Sequence, residues 1–578
     1  MKNYTYAFLL ILLLSIVNHI NAQWTQIGQD IDGEAADDRS GVSVSLSSDG
    51  SIVAIGAINN DGNGTDAGHV RVYENIGGNW LQLGNDIDGE APYDESGVSV
   101  SLSSDGSIVA IGAYLNDGND TTNTYRGHVR VYEYSGGSWI QMGSDIDGEA
   151  PNDFSGWSVS LSSDGSIIAI GAYVNDGNGI SSGHTRVYEY GGSNWLQIGN
   201  DIDGEATLDR SGISVNLSSD GSIVAIGAFY NDGNGTDAGH VRVFQNISGN
   251  WIQMGSDIDG EAPSDLSGIS VSLNSDGSIV AIGAYNNDGN GNDAGHVRVF
   301  EYTGGNWMQI GNDIDGEASG DWSSYSICLN SDGSIVAIGA PLNNGNGTDA
   351  GHVRVYENIS GNWTQKGNDI DGEFANDVSG NSVSLSSDGL IVASGAHFNY
   401  GTGPASGHVR VFWLDTTLIN ITLIQNGDTL IVDLVGAIYQ WVNCDSSFAP
   451  INGETNQSFI APISGNYAVI VTYNGCTDTS SCYYVDVVSI NENTINTEVS
   501  IYPNPTTGLV IIKNEECRIN NVSVFDIYGK EVYTKVKSQK TNIKSQKYEL
   551  DLSKEAKGIY IIKVTTDKGV FLEKVVLE

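Results

Sequence analysis

Apolar residues in this chain alternate with small or polar ones in short runs, and each run is bounded by glycine, aspartate, asparagine or serine. A period of two predicts β-strands, and turn-forming borders predict short connections between them. Four strands are predicted in the first such unit: Trp24–Gly28, Gly41–Ser47, Ser51–Ala57 and His69–Glu74. In the second, Val42, Val44 and Leu46 face one way and Gly41, Ser43 and Ser45 the other, as in a strand covered on both sides. Ser48-Asp49-Gly50 predicts a two-residue hairpin, because Asp and Gly tolerate positive φ.

The unit then recurs. Trp24, Trp80, Trp139, Trp195, Trp251, Trp307 and Trp363 are spaced by 56 residues, with one spacing of 59. Seven copies of a four-stranded unit predict a seven-bladed β-propeller, since blades stacked in a closed ring cover one another's faces. The seventh copy ends at Val411-Phe412-Trp413 with no W-x-Q-x-G strand after it, while the first begins with an unpartnered one. The N-terminal strand is therefore expected to complete the last blade and leave no free edge.

Composition agrees with an all-β chain. There are 74 glycines and only 17% charged residues, which excludes long helices and coiled coils. The net charge of −46 sets nucleic acid and anionic membrane surfaces aside as partners. The charge is uneven, with local balances of −41 up to Asp415, −6 from Thr416 to Ile490 and +1 beyond. Linkers are expected near Asp415 and Ser489–Glu498. Residues 1–22 read as a secretory signal, with Lys2, an apolar run from Ala7 to Val17 and a small-residue exit at Asn21-Ala22. No later apolar stretch is long enough to span a bilayer, so no integral membrane segment is expected after signal removal. The expected organisation is a signal (1–22), the propeller (23–415) and two small β-sandwich domains (416–490 and 491–578).

The repeats resemble FG-GAP-type repeats of the bacterial variety, with D-x-SG-x-SV, IVAIGA and G-x-V-x-V-[YF] standing at the family's motif positions from Trp24 to Trp413. Integrin-type members carry a D-x-D-x-D-G calcium loop between the inner strands; here that connection is SSDGS, so that site is not carried over. The segment from Thr416 to Val488 resembles an Ig-like module, with Tyr439-Gln440-Trp441 before Cys444 and Gly465-Asn466-Tyr467 before Cys476. Cys444 is expected to bridge to Cys476 or to Cys482, with the Cys444–Cys476 pair as the candidate disulfide. The last 80 residues resemble the type A sorting domain of the type IX secretion system. The carrying residues are Val499-Ser500-Ile501-Tyr502-Pro503-Asn504-Pro505, Thr507-Gly508, Val524 to Lys530, Gly558-Ile559-Tyr560 and Lys574-Val575-Val576. This resemblance implies type IX secretion machinery as a partner and export across both membranes to the cell surface or medium.

Acidic side chains concentrate in the loop before the innermost strand of each repeat. The candidate cation ligands are Asp30, Asp32, Glu34 and Asp38; Asp86, Asp88, Glu90 and Asp94; Asp145, Asp147, Glu149 and Asp153; Asp201, Asp203, Glu205 and Asp209. The set continues with Asp257, Asp259, Glu261 and Asp265; Asp313, Asp315, Glu317 and Asp321; Asp369, Asp371, Glu373 and Asp377. Four carboxylates in nine residues on a flexible loop suit calcium, the candidate cofactor, while a solvated turn with backbone-capping acids is the structural alternative. His69 and its six counterparts recur once per blade and are assigned a structural role, since equivalents spread round a ring cannot share one ion. Arg71 and its counterparts are expected in Arg–Asp pairs between blades. A ligand site must break the repeat, and the irregular places are the loop Asp120–Arg126, the Trp322–Ser324 substitution with Pro341 and Asn344, and His397, Phe398 and Tyr400. No GxSxG or HExxH motif accompanies them. The expected function is binding of an extracellular glycan or protein rather than catalysis, with a propeller polysaccharide hydrolase or lyase and a structural surface-layer component as alternatives.

Overall fold

The computed structural model describes residues 23–118, 124–414, 421–446, 448–473, 476–487, 499–514, 518–536 and 546–578. The predicted signal, most of the Asp120–Arg126 loop, the linker positions and Cys517 lie outside the described residues. The chain divides into two compact units, one holding the repeats and the other the strands of residues 499–578, with the strands of residues 423–485 shared between them.

The first repeat contains β1 (Trp24–Gln26), β2 (Ile31–Asp32), β3 (Ser40–Leu46), β4 (Ile52–Ala57) and β5 (His69–Ile76), and the start of the second supplies β6 (Asn79–Gln82) and β7 (Ile87–Asp88). β3 to β6 form an antiparallel meander, and β7 pairs with the start of β5 at His69 and Val70. The fifth strand was not expected; Asp30 and Asp32 read as loop. Its cause is the short β6, which covers β5 only from Tyr73 to Ile76 and leaves the backbone groups of His69 and Val70 for Ile87-Asp88 to satisfy. The β3–β4 connection is longer than the predicted two-residue hairpin. Ser47 N bonds to Ile52 O at 2.9 Å, and the loop between them is organised by Asp49 Oδ1, which accepts from Ser47 Oγ, Ser51 N and Ser51 Oγ.

Seven five-stranded sheets follow this plan. In the last, β1 and β2 supply the outer positions by pairing with His408–Leu414: Trp24 lies opposite Leu414 and Ile31 opposite Val409. A second feature closes the ring. Ser48 N donates to Ser104 O, and the bond repeats through Ser163, Ser219, Ser275, Ser331 and Ser387 back to Ser48 at 2.7–3.0 Å. Both faces of each blade are buried, as the alternation predicts. Val53 and Ile55 pack with Ala393, Val409 and Val411 of the last repeat, whereas Ala54 packs with Val109 and Ile111 of the second. The marker tryptophans act as staples: Trp80 Nε1 donates to Ile27 O at 2.8 Å, and Trp24 Nε1 to Lys366 O at 2.9 Å. Blades approach closely at paired glycines, where a methyl group on Gly227 would lie 1.9 Å from Gly268 O.

Residues 423–485 form a three-stranded sheet (Leu423–Asn426, Thr429–Val432, Ser458–Ile460) and a five-stranded one built on Ile438–Asn443 and Gly465–Tyr473. Trp441, Phe459 and Tyr467 are fully buried, and the Trp441 and Phe459 rings stack at 5.1 Å. The disulfide joins Cys444 to Cys482, with Cα atoms 6.3 Å apart, and corrects the Cys444–Cys476 candidate. Strand order explains the pairing. Cys476 pairs with Tyr473 at the far end of Gly465–Tyr473, while Cys482 precedes Tyr483–Val485, which returns to the near end at Gly465.

Residues 499–578 form sheets of three and four strands over a core of Val510, Ile512, Val524, Ile562, Val564 and Val575. The Tyr502-Pro503-Asn504-Pro505 segment holds the C-terminal strand. Asn504 Nδ2 donates to Lys574 O at 2.6 Å, and Val576 N donates to Asn504 Oδ1 at 2.9 Å.

Candidate ligand-binding site

The loop that enters each innermost strand ends in a left-handed residue. Arg39, Glu95, Phe154, Arg210, Leu266, Trp322 and Val378 occupy equivalent positions, all with φ between +50° and +59°. This conformation is unfavourable for side chains with a Cβ, most of all for branched Val378. Backbone bonds to the adjacent repeat hold it, as in Arg39 N to Ala405 O at 3.0 Å and Ser40 N to Ser406 O at 2.9 Å. The chain then turns through Ser-Gly and presents one side chain per repeat to a common cavity.

That cavity has a volume of about 460 Å³ and draws on every repeat. Val42, Val98, Trp157, Ile213, Ile269, Tyr325 and Asn381, the residues after the seven Ser/Gly turns, all line it. Tyr114, Pro341 and His397, which follow the inner-strand Gly-Ala of their repeats, also contribute. The walls combine aliphatic side chains with five aromatic ones, Tyr114, Trp157, Trp322, Tyr325 and Phe398. Tyr114 meets Trp157 edge-on at 4.9 Å, Trp157 meets Tyr173 at 5.0 Å, and Trp322 lies near-parallel to Tyr325 at 6.4 Å. The Arg210 guanidinium sits 5.0 Å from the centre of the Tyr230 ring and 5.7 Å from that of Tyr173, buttressing the wall from behind.

Polar groups are few. Tyr114 OH donates to Glu95 Oε2 at 2.7 Å, and burial holds the Glu95 carboxyl above the usual range. Asn381 Nδ2 donates to Val42 O at 3.2 Å. His397 lies tilted by 43° against Phe398 at 4.2 Å, and burial, with Arg39 nearby, pushes its pKa down to about 4, so the ring is neutral at physiological pH. Its Nδ1 is buried without a hydrogen-bond partner. A mostly apolar, aromatic concavity with a few placed polar groups is suited to stacking and orienting an amphipathic ligand.

Three of the four residues predicted for ligand binding, Trp322, His397 and Phe398, line this cavity; Tyr400 does not and is 64% exposed. Sequence reasoning missed Trp157, Tyr114 and Tyr325. The signal was available in the repeats themselves. The residue after Ser/Gly reads Val, Val, Trp, Ile, Ile, Tyr and Asn between a Ser/Gly turn and a serine that recur in all seven copies, and variation at such a position marks a surface the ring does not need.

The acidic loops are arranged differently from the predicted cation set. Asp38 and its counterparts are buried, and their Oδ2 accepts from a main-chain N–H of their own loop, Ala35 N in the first repeat, and from an asparagine such as Asn60 Nδ2, at 2.8–3.2 Å. Asp30 Oδ1 accepts from Gln26 Nε2 at 2.6 Å, and its Oδ2 lies 3.8 Å from His408 Nδ1. Glu34 of the same loop lies instead at His69, with Oε2 4.0 Å from Nδ1. The four carboxylates are thus divided between two histidines and a capping role, and a calcium shell of six to eight oxygens is not gathered in one loop. The arginine partners also differ from expectation. Arg71 donates to the backbone oxygen of Asp32 at 2.7 Å and pairs with the Glu34 carboxylate at 3.7 Å, not with an aspartate side chain. Its guanidinium covers the Tyr73 ring at 5.4 Å, fixing it between blades. Desolvation raises the Asp32 and Glu34 carboxyls; repulsion from Asp30 adds to the shift at Asp32, and Arg71 opposes it at both.

Residues 500–578 match the family model of the secretion system C-terminal sorting domain, and residues 145–188 match that of the FG-GAP repeat. The chain carries an FG-GAP propeller and a type IX sorting domain. That domain directs export to the cell surface or extracellular space. No curated protein is a significant match to the sequence. Similar solved structures include the periplasmic gluconolactonase of Pseudomonas aeruginosa (15% identity, 72% of this chain and 95% of that one, TM-score 0.40). Others are the β-propeller domain of the Trilobed protease from Pyrococcus furiosus (11%, 65% and 95%, TM-score 0.37) and the GH74 xyloglucanase of Xanthomonas campestris (8%, 96% and 88%, TM-score 0.37).

Proposed function

We propose that the protein is an exported binding protein whose propeller takes an extracellular glycan into the aromatic cavity at the centre of the ring. The observation that carries this reading is the register of the cavity. One residue from each of seven repeats lines it, and that position varies while its neighbours repeat. Sugar rings present apolar C–H faces and a fringe of hydroxyls, which match the Trp157, Trp322 and Tyr325 rings and the Glu95, Asn381 and His397 polar atoms. The type IX sorting domain supplies the location where such a ligand is met.

The test is calorimetry of the mature chain against a panel of soluble polysaccharides. Trp157→Ala and Trp322→Ala are each expected to weaken binding by roughly tenfold or more, the effect of losing about 1.4 kcal/mol of stacking. Leu81→Ala, on an exposed outer strand, serves as the control and should leave affinity unchanged. Binding untouched by both tryptophan variants would remove the cavity from the function. Release of shortened sugars by the native chain would replace binding with polysaccharide cleavage.

A further inference from the structure

The seven histidines at the start of the outer strands remain unexplained by the cavity. His69 is 1% exposed, and neither of its ring nitrogens has a hydrogen-bond partner; the same holds for His408. A buried imidazole with two idle nitrogens is costly unless something else completes it. The groups facing it are two carboxylates from consecutive inter-blade loops. Donor atoms of Glu34, His69 and Asp86 lie within 4.8 Å of one another; seven three-residue groups occur among the described residues, with the same Glu–His–Asp composition at His128, His184 and His240, while at His408 the group is Asp30, Asp32 and the histidine.

We infer that each Glu–His–Asp group is a binding site for a divalent transition-metal ion of the zinc type. The separations fit an ion better than a hydrogen bond. His69 Nδ1 stands 4.0 Å from Glu34 Oε2, and at His184, His296 and His408 Nδ1 stands 3.8–4.0 Å from the aspartate Oδ2. With donor atoms 4.0–4.8 Å apart, an ion at the centre of the triangle lies about 2.3–2.8 Å from each corner, so the loops close inward to reach zinc–nitrogen and zinc–oxygen distances of ~2.0–2.2 Å. The outward atoms are already anchored. Glu34 Oε1 faces Arg71 at 3.7 Å, and Asp86 Oδ1 accepts from Gln82 Nε2 at 2.5 Å, the supporting contacts that orient metal ligands. A cleft of about 420 Å³ lined by Glu34, Gln82, Asp86 and Asp88 gives an ion access and leaves room for water as further ligands. One nitrogen and two oxygens suit zinc or cobalt, whereas calcium and magnesium prefer oxygen alone. Bound ions would tie each loop to the next around the ring.

The experiment is equilibrium binding of zinc and cobalt to the EDTA-treated mature chain. Seven of the nine histidines in the full sequence belong to these groups, so the count is readable. Expected are a stoichiometry near seven ions per chain, a cobalt absorption spectrum of nitrogen and oxygen ligation, and a higher melting temperature. Asp86→Asn and His240→Gln should each remove one ion. Asp86 is partly exposed, so its variant keeps the test open should the buried histidine variant fail to fold. Absence of saturable zinc binding, a stoichiometry unchanged in Asp86→Asn, or equal stabilisation by magnesium and calcium would each overturn the inference, the last as simple screening of a chain of net charge −46.

Discussion

Glu34 and Arg39 stand five residues apart in one loop, yet their positions obey opposite rules across the repeats. The first is Glu in all seven copies, while the second is Arg, Glu, Phe, Arg, Leu, Trp and Val. Glu34 faces the blade interface, where each repeat must fit its neighbour in the same way, and any change there is felt by two blades. At the Arg39 position Glu95, Trp322 and Val378 line the central cavity, and so does the residue three further on in every repeat, where seven side chains meet and none has to match its equivalents. Identity at the interface is therefore a packing requirement, and diversity at the centre is what a symmetric ring needs in order to hold an asymmetric ligand.

The sharpest way to break this contrast is to crowd an interface. In Gly227→Ala the new methyl group would meet the Gly268 carbonyl oxygen, which is backbone and cannot rotate away. A destabilisation above ~3 kcal/mol is expected, seen as a large drop in melting temperature or failure to fold. A near-native melt would mean that the blades are not packed at their glycines. A smaller effect at the centre is read by pH. Burial, with Arg39 nearby, pushes the His397 pKa in the folded chain down to about 4 from the usual 6.5. Because the folded form is the poorer proton binder, its contribution to stability is complete above pH 6.5 and lost as pH falls toward 4, at about 1.4 kcal/mol for each pKa unit of difference. His397→Asn should therefore lose less stability than the native chain between pH 7 and 4.5, measured by denaturant unfolding. Parallel profiles would place His397 in water. The smallest effect is expected at the centre itself. Val98→Asn imitates Asn381, which already occupies that register position in the last repeat, and should change stability by less than ~1 kcal/mol. A cost as large as that of the interface variant would show that the central positions are structural.

Much of the fold could be read from residues alone. The tryptophan spacing predicts seven blades, and the unmatched Trp24–Gly28 strand predicts the closure seen in its pairing with Phe412–Leu414. The short Ile31-Asp32 strand could not be read so, because it exists only where a neighbouring strand is too short to cover its partner. Trp322, His397 and Phe398 were legible as breaks in the repeat, and Trp157 and Tyr325 became visible once their common register placed them in one cavity. The Glu–His–Asp groups were hidden because their members come from two successive loops and a strand. No local motif joins residues whose meeting is set by the rotation from one blade to the next. The choice of Cys482 over Cys476 was hidden for the same reason, being decided by the direction in which a strand returns.

The pairing of Trp24–Gln26 with Phe412–Leu414 also sets an order of events in time. A chain delivered from its N-terminus releases this strand first and its partner last, with six complete repeats between them. Each of those repeats can settle against the one before it as it arrives. The opening strand must wait, solvated and unpaired, until the final turn of the chain appears. During that interval the growing stack carries an open edge at either end, so that the strand of one copy could be captured by the unfinished end of another. Dilution, or speed in delivering the last repeat, decides whether a chain closes on itself or links to its neighbour.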